Sequence, residues 1–235
     1  MKNLLAKILR SIPGNRKVYP AVMKVWKAVV VPIRRRRLQR CGVRVLDDVH
    51  HVMTGLGVRY YVYWGTLLGI IREQGFIRHD DDIDVCFSPQ RTSFAELHRA
   101  LTAAGFKFVH SVQTQDIPLR YTFKKYGVNV DFFREMGPAG NGYVYVPTTT
   151  RRDPNVRYRG FQCGWKKKRL LDGGEGQEMD FRGIKISIPN HPEAVLESIY
   201  GPGWRVPDPN FVSYPVLDIL MPDFADRITD PARAL

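Results

Sequence analysis

"YWGTLLGIIREQGFIRHDDDIDVCF", residues 63–87, places Asp80, Asp81, Asp82 and Asp84 between an apolar helix-like run and an apolar strand-like end. Alternation decides its reading. Successive side chains of a strand face opposite ways. A strand through "DIDVCF" therefore turns Asp82 and Asp84 to one face and sends Ile83 and Val85 into the core. Asp80 joins the acidic face if the strand extends back to it. Carboxylates this close repel one another unless a cation sits between them. A ligand set made only of oxygen suits Mg²⁺ or Mn²⁺ better than zinc.

Upstream, "VRYYVYW" (58–64) is rich in β-formers and predicts a strand. It turns at Gly65-Thr66 into a short helix, "TLLGIIREQ". Backbone N–H groups at such a helix start bind phosphate, and glycine admits a close approach. Strand, Gly65-Thr66, helix and Asp-x-Asp together predict a site for a metal-chelated phosphate. A further acid, Asp131 in "VNVDFF", is flanked by strand-forming residues, and a hairpin partner strand would bring it to the same metal.

Around this segment the pattern is mixed. Val45, Val49, Val52, Met53 and Leu56 share a helical face that Gly57 stops. Ser93 and Glu96 have the spacing of a capping box for a helix ending at Gly105. "FKFVHSV", "LRYTFKKY" and "VNVDFF" predict three strands, the last two joined by a tight turn at Tyr126-Gly127. Residues 134–182 read as irregular, with a basic run from Arg151 to Arg169. "IKISI" is a late strand, and Pro192 opens a helix ending at Tyr200-Gly201. This mix predicts an α+β fold.

Charge divides the 235-residue chain. Residues 1–40 hold 12 of its 36 Lys and Arg and none of its 23 acids, so the rest is nearly neutral. Two apolar stripes run through this stretch, one with Leu4, Leu5, Ile8 and Leu9, the other with Val22, Val25, Trp26 and Val29 ahead of Arg34 to Arg37. The expectation is a basic amphipathic arm, 1–40, and a separate body, 41–235, that holds the metal site. Such an arm suits a polyanion, whether a membrane surface, nucleic acid or an acidic glycan, or else packs as a helix on the body with its charges solvated. No secretory signal is evident, and "AVVVPI" (28–33) is too short to span a bilayer. The three cysteines make no disulfide framework, which fits a reducing compartment.

The motif "GTLLGIIREQGFIRHDDDIDV" resembles the signature of the LicD/fukutin-related phosphotransferases, within the nucleotidyltransferase-fold superfamily. "VDFF" with Asp131 resembles that family's third-carboxylate strand, and "YGPGWRVPDP" (200–209) resembles its C-terminal motif. The likeness covers about residues 45–210 and weakens over 134–182. Arg78-His79 stands where the family commonly has Pro-Trp. The resemblance implies a nucleotidyltransferase-like mixed sheet flanked by helices. It also implies transfer of a phospho-alcohol group, such as phosphocholine or a polyol phosphate, from a CDP-linked donor to a hydroxyl of a glycan or lipid-linked glycan. On that reading Asp82, Asp84 and Asp131 hold Mg²⁺ or Mn²⁺, while Gly65, Thr66 and Arg72 meet the donor phosphates. The enzyme is then expected in the cytoplasm, peripheral on the inner face of the cell membrane. Two rivals stay open: a nucleotidyltransferase acting on RNA or a small molecule, and a non-enzymatic basic protein that binds membrane or nucleic acid. The Gly-Thr-Leu-Leu-Gly run disfavours nucleic acid as the partner.

Overall fold

The computed structural model describes residues 18–88, 92–114, 117–135, 143–149, 161–169, 176–208 and 219–228. The helix expected near the N-terminus and the basic residues 151–160 lie outside these. In chain order the elements are α1 (Val18–Gly55), β1 (Tyr60–Val62), α2 (Trp64–Glu73), β2 (Asp82–Phe87), α3 (Phe94–Ala103), β3 (Lys107–Thr114), β4 (Ile117–Lys125) and β5 (Val128–Arg134). β6 (Tyr143–Thr149), β7 (Phe161–Arg169), β8 (Gly176–Phe181), β9 (Ile184–Pro189), α4 (Pro192–Tyr200) and β10 (Ile219–Ile228) follow.

Among the described residues, eight strands form one sheet in the order β1-β2-β5-β4-β3-β10-β7-β6, and β8 pairs with β9 alone. Among the described strands β2 and β5 are the one parallel pair; β1 and β4, on either side of them, run antiparallel. The fold is the expected mixed sheet with flanking helices. The stretch 134–182, read as irregular, instead supplies β6, β7 and β8. β7 pairs with the distant β10, which a local reading does not see, whereas β8 pairs with β9 across a two-residue turn at Arg182-Gly183, a local signal that was missed.

Alternation works as the sequence foretold. Ile83, Val85, Val130 and Phe132 are fully buried, as are Leu38, Val45, Val49 and Met53 of α1, which packs against β2, β5 and β9. Lys125, at the end of β4, reaches Asp48 of α1 at 2.6 Å. Phe94 stacks on Tyr121 at 3.6 Å and ties α3 to β4. The Ser93–Glu96 capping box forms as expected. Tyr126 and Gly127 both take positive φ, giving the two-residue turn that joins β4 to β5.

The boundary expected at residue 40 falls inside a continuous 38-residue helix. Leu38 lies in the core, and the Gln39 side-chain amide donates to the carbonyls of Phe76 and Ile77, both at 3.2 Å. Leu38 and Gln39 therefore dock this part of α1 on the body, against the acid-bearing loop, while Arg36, Arg37 and Arg40 stay exposed.

Candidate metal and phosphate site

The acidic strand places its carboxylates as alternation requires. Ile83 and Val85 point into the core, and Asp82 and Asp84 point the other way, each partly accessible. Asp84 pairs in register with Asp131 of β5, so the two carboxylates stand side by side. β5 reaches this place as a parallel neighbour of β2, not as its hairpin partner. The hairpin partner of β5 is β4, whose Thr122 lies opposite Asp131. The Thr122 hydroxyl donates to Asp131 Oδ1 at 2.5 Å, and Arg120 Nη1 lies 3.0 Å from Oδ2. Both oxygens of Asp131 are thus oriented by β4.

The glycine-threonine turn is tied to the same strand. Tyr63 N donates to Asp84 O, and Asp84 N donates to Thr66 Oγ1, both at 2.9 Å. Thr66 is buried, and its hydroxyl braces the backbone of Asp84. Trp64, just ahead of Gly65, has φ 43°, a region bulky residues rarely adopt. The Asp84 backbone accepts one of these hydrogen bonds and donates the other, joining it to the residues on either side of the Trp64-Gly65 step.

Both glycines of "GTLLG" make room for the loop that carries the acids. A Cβ on Gly65 would lie 2.5 Å from Asp80 Oδ2, and one on Gly69 would lie 2.6 Å from Gly75 O and 2.9 Å from Ile77 N. Asp80 therefore rests on the first turn of α2, an end that no side chain caps and where the helix dipole favours an anion. The turn expected to receive a phosphate is, in this structure, partly covered by a carboxylate of the chain.

The cluster is electrostatically tense. Burial, reinforced by Asp82, Asp80 and Asp131, pushes the Asp84 carboxyl well above the usual range, against the pull of Arg120. Burial, then Asp131, Asp80 and Asp81, does the same to Asp82, against Arg34. Asp80 is raised too, chiefly by burial. Asp80, Asp81 and Asp82 can each offer an oxygen within 4.8 Å of the others. An all-oxygen set crowded in this way fits a hard divalent cation such as Mg²⁺ or Mn²⁺. Sequence reasoning named Asp82, Asp84 and Asp131; the tightest grouping among the described residues shares only Asp82 with that trio.

The expectation that the metal site stands apart from the basic arm is corrected by Arg34. Its Nε lies 3.0 Å from Asp81 Oδ2 and its Nη2 3.8 Å from Asp82 Oδ2. The Arg34–Arg37 run is not one surface patch. Arg34 meets the acids, Arg35 lines a cavity, and Arg37 covers the turn at Gly127.

That cavity, of about 870 Å³, opens beside Asp80 and Gly65 and is also lined by Arg35, Arg72, Tyr200 and Trp204. Its size suits a nucleotide-sized ligand. Arg72 donates to Trp204 O at 3.2 Å and pairs with Glu73 at 2.7 Å. Among the described residues its ion pair is with Glu73 and not with an aspartate. Nε of Arg35 and of Arg72 are buried with no hydrogen-bond partner among the described residues. His79 is exposed at the rim. Of the alternating Lys124 and Lys125, Lys124 shares the face of Thr122 and Asp131. Burial, then Arg34 and Arg37, lowers its pKa.

Arg120 and Thr122 were missed, yet a signal existed. A two-residue turn at 126–127 pairs Lys125 with Val128, and counting back sets Thr122 against Asp131. Arg34 had no such signal, because its place depends on how α1 docks.

The parallel Asp84–Asp131 pair, the turn before α2 and the mixed sheet define the class as a nucleotidyltransferase-type domain. The family described as "LicD/FKTN/FKRP, nucleotidyltransferase domain" matches residues 57–191, and the chain belongs to it. It is also similar to an uncharacterized protein of Rickettsia typhi, 29% identical over 69 residues, which are 29% of this chain and 22% of that protein. An uncharacterized protein of Rickettsia prowazekii is 40% identical over 42 residues, 18% of this chain and 16% of its own length. The chain thus spans about a fifth or less of these curated relatives.

Proposed function

We propose that this protein transfers a phospho-alcohol group, phosphocholine or a polyol phosphate, from a CDP-linked donor to a hydroxyl of a cell-surface glycan or glycolipid. The observation that carries the reading is the register of β2 and β5. It sets Asp84 beside Asp131, with Asp82 on the same face, next to a cavity bordered by Arg35 and Arg72.

Asp82, Asp84 and Asp131 would hold the cation, with Asp80 and Asp81 close by. A divalent ion there supplies charge that neutralises the leaving nucleotide. The acceptor oxygen attacks the phosphorus that bears the alcohol, the anhydride P–O bond breaks, and CMP leaves with the bonding pair. The hydroxyl proton passes to a carboxylate of the cluster that does not hold the cation, which serves as general base. Arg35 and Arg72 orient the diphosphate. Thr66 keeps Asp84 in line through its backbone, and Gly65 leaves room at the start of α2.

The membrane part of the reading is supported by one face of α1. Val29, Ile33, Arg36, Arg37 and Arg40 recur at helical spacing and are exposed. Among the described residues no helix is long and apolar enough to cross a membrane. Attachment to the inner face of the cell membrane would be peripheral.

Incubation with CDP-choline and CDP-polyols, with Mg²⁺ or with chelator, tests the chemistry through CMP release. Metal-dependent CMP release supports it. Extension of RNA by nucleoside triphosphates without CMP release from any CDP-alcohol would replace it with the nucleic-acid reading.

A further inference from the structure

We infer that Arg34 is an internal cation that competes with the divalent ion for the carboxylates and, once displaced, engages an anionic group of the substrate. The inference rests on the cation-site reading above and adds an order of binding to it.

Asp81 and Asp82 face one guanidinium in this structure, with Nε 3.0 Å from Asp81 and Nη2 3.8 Å from Asp82, so part of their charge is offset. Asp81 and Asp82 belong to the group whose oxygens converge within 4.8 Å. A divalent ion on those oxygens and a guanidinium against them are like charges a few ångströms apart. Arginine does not relieve this by losing a proton; lysine can, and the neighbouring Lys124 already has its pKa lowered. Arg34 must therefore swing on its flexible stem when the cation is held. The next residue on α1, Arg35, lines the cavity that Asp80 borders, so phosphate-sized space lies beside the carboxylate cluster. Guanidinium and phosphate match as a bidentate pair. Cation binding thus supplies a third arginine, beside Arg35 and Arg72, to a phosphate in the cavity. The cation binds first and the phosphate-bearing substrate second.

Calorimetry on the full chain separates the outcomes, with Mn²⁺ as the cation and CDP as the phosphate probe. Arg34→Gln should bind Mn²⁺ about five- to tenfold more tightly, and CDP at saturating Mn²⁺ about five- to tenfold more weakly. Arg34→Lys, which loses the fork and can shed its proton when the cation binds, should bind Mn²⁺ at least as tightly as wild type and weaken CDP. A side chain with a purely structural role moves both affinities the same way or neither. Any Arg34→Gln result without opposite signs overturns the inference. If wild type binds Mn²⁺, Asp82→Asn loses it and Arg34→Gln shifts nothing, only this inference fails. If neither wild type nor Arg34→Gln binds Mn²⁺, the cation site and the inference fall together.

Discussion

Thr66→Val replaces a hydroxyl by a methyl of the same shape and isolates one function. In the structure Thr66 Oγ1 accepts the Asp84 amide at 2.9 Å, and Thr66 is buried. The variant leaves that amide without an acceptor in a place water does not reach. An orphaned buried donor costs about 1–3 kcal/mol. Taking about 2 kcal/mol, and about 2–4 °C per kcal/mol for a domain of this size, the melting temperature should fall by about 4–8 °C. Thr66→Ser keeps the acceptor and loses one buried methyl, about 1 kcal/mol, so it should fall less. Urea denaturation with thermal melts measures both. Kinetics separates the two roles open to Thr66. A brace for Asp84 predicts lost kcat and weaker Mn²⁺ binding in Thr66→Val, both restored in Thr66→Ser. A hydroxyl that grips the donor phosphate predicts a raised donor KM with unchanged stability. If Thr66→Val is as stable as wild type, or Thr66→Ser is less stable than Thr66→Val, the brace argument is refuted.

Asp84→Asn should raise stability at pH 7 in chelator. The folded-state pKa of Asp84 lies above its unfolded value, so the native state holds the proton more tightly and loses stability as pH rises from about 4 through that raised value. The gain should shrink as pH falls toward 4, and pH-dependent urea titrations showing a constant gap would contradict the buried, crowded site. Asp82→Asn and Asp84→Asn should each abolish CMP release and weaken Mn²⁺ binding, and Asp131→Asn should be severely impaired. Near-normal turnover of either β2 variant at limiting Mg²⁺ would mean the ligands are misassigned. Binding to anionic vesicles should weaken with salt without vanishing, since apolar burial survives screening. Arg36→Gln with Arg40→Gln should weaken it further, while CMP release with a soluble acceptor stays unchanged. Wild type that ignores anionic vesicles at low salt would rule out the membrane face.

Much of the site was legible because its logic is local. Period-two alternation assigned Asp82 and Asp84 to one face and Ile83 and Val85 to the other, with no knowledge of the partner strand. The capping box, the two-residue turn and the helix after Gly65 are equally short-range, since each depends on hydrogen bonds or dihedrals within a few residues. The family resemblance lay in the same contiguous motif.

Tertiary structure decided what local rules do not reach. Asp131 came to Asp84 through a parallel pairing across an intervening helix and two strands, and the sequence suggested a hairpin. Thr66, expected at the donor phosphates, also accepts Asp84 N through its hydroxyl, a contact that no local rule shows. The basic residues at 34 and 35 read as part of a surface arm, because composition records charge but not direction. Docking of α1 through Leu38 and Gln39 turned Arg34 onto Asp81 and Asp82 and Arg35 into the cavity. The physical reason is the range of the forces. Propensity and alternation act between neighbours in the chain, whereas apolar burial and charge pairing act between neighbours in space, and only the closed fold says which residues those are.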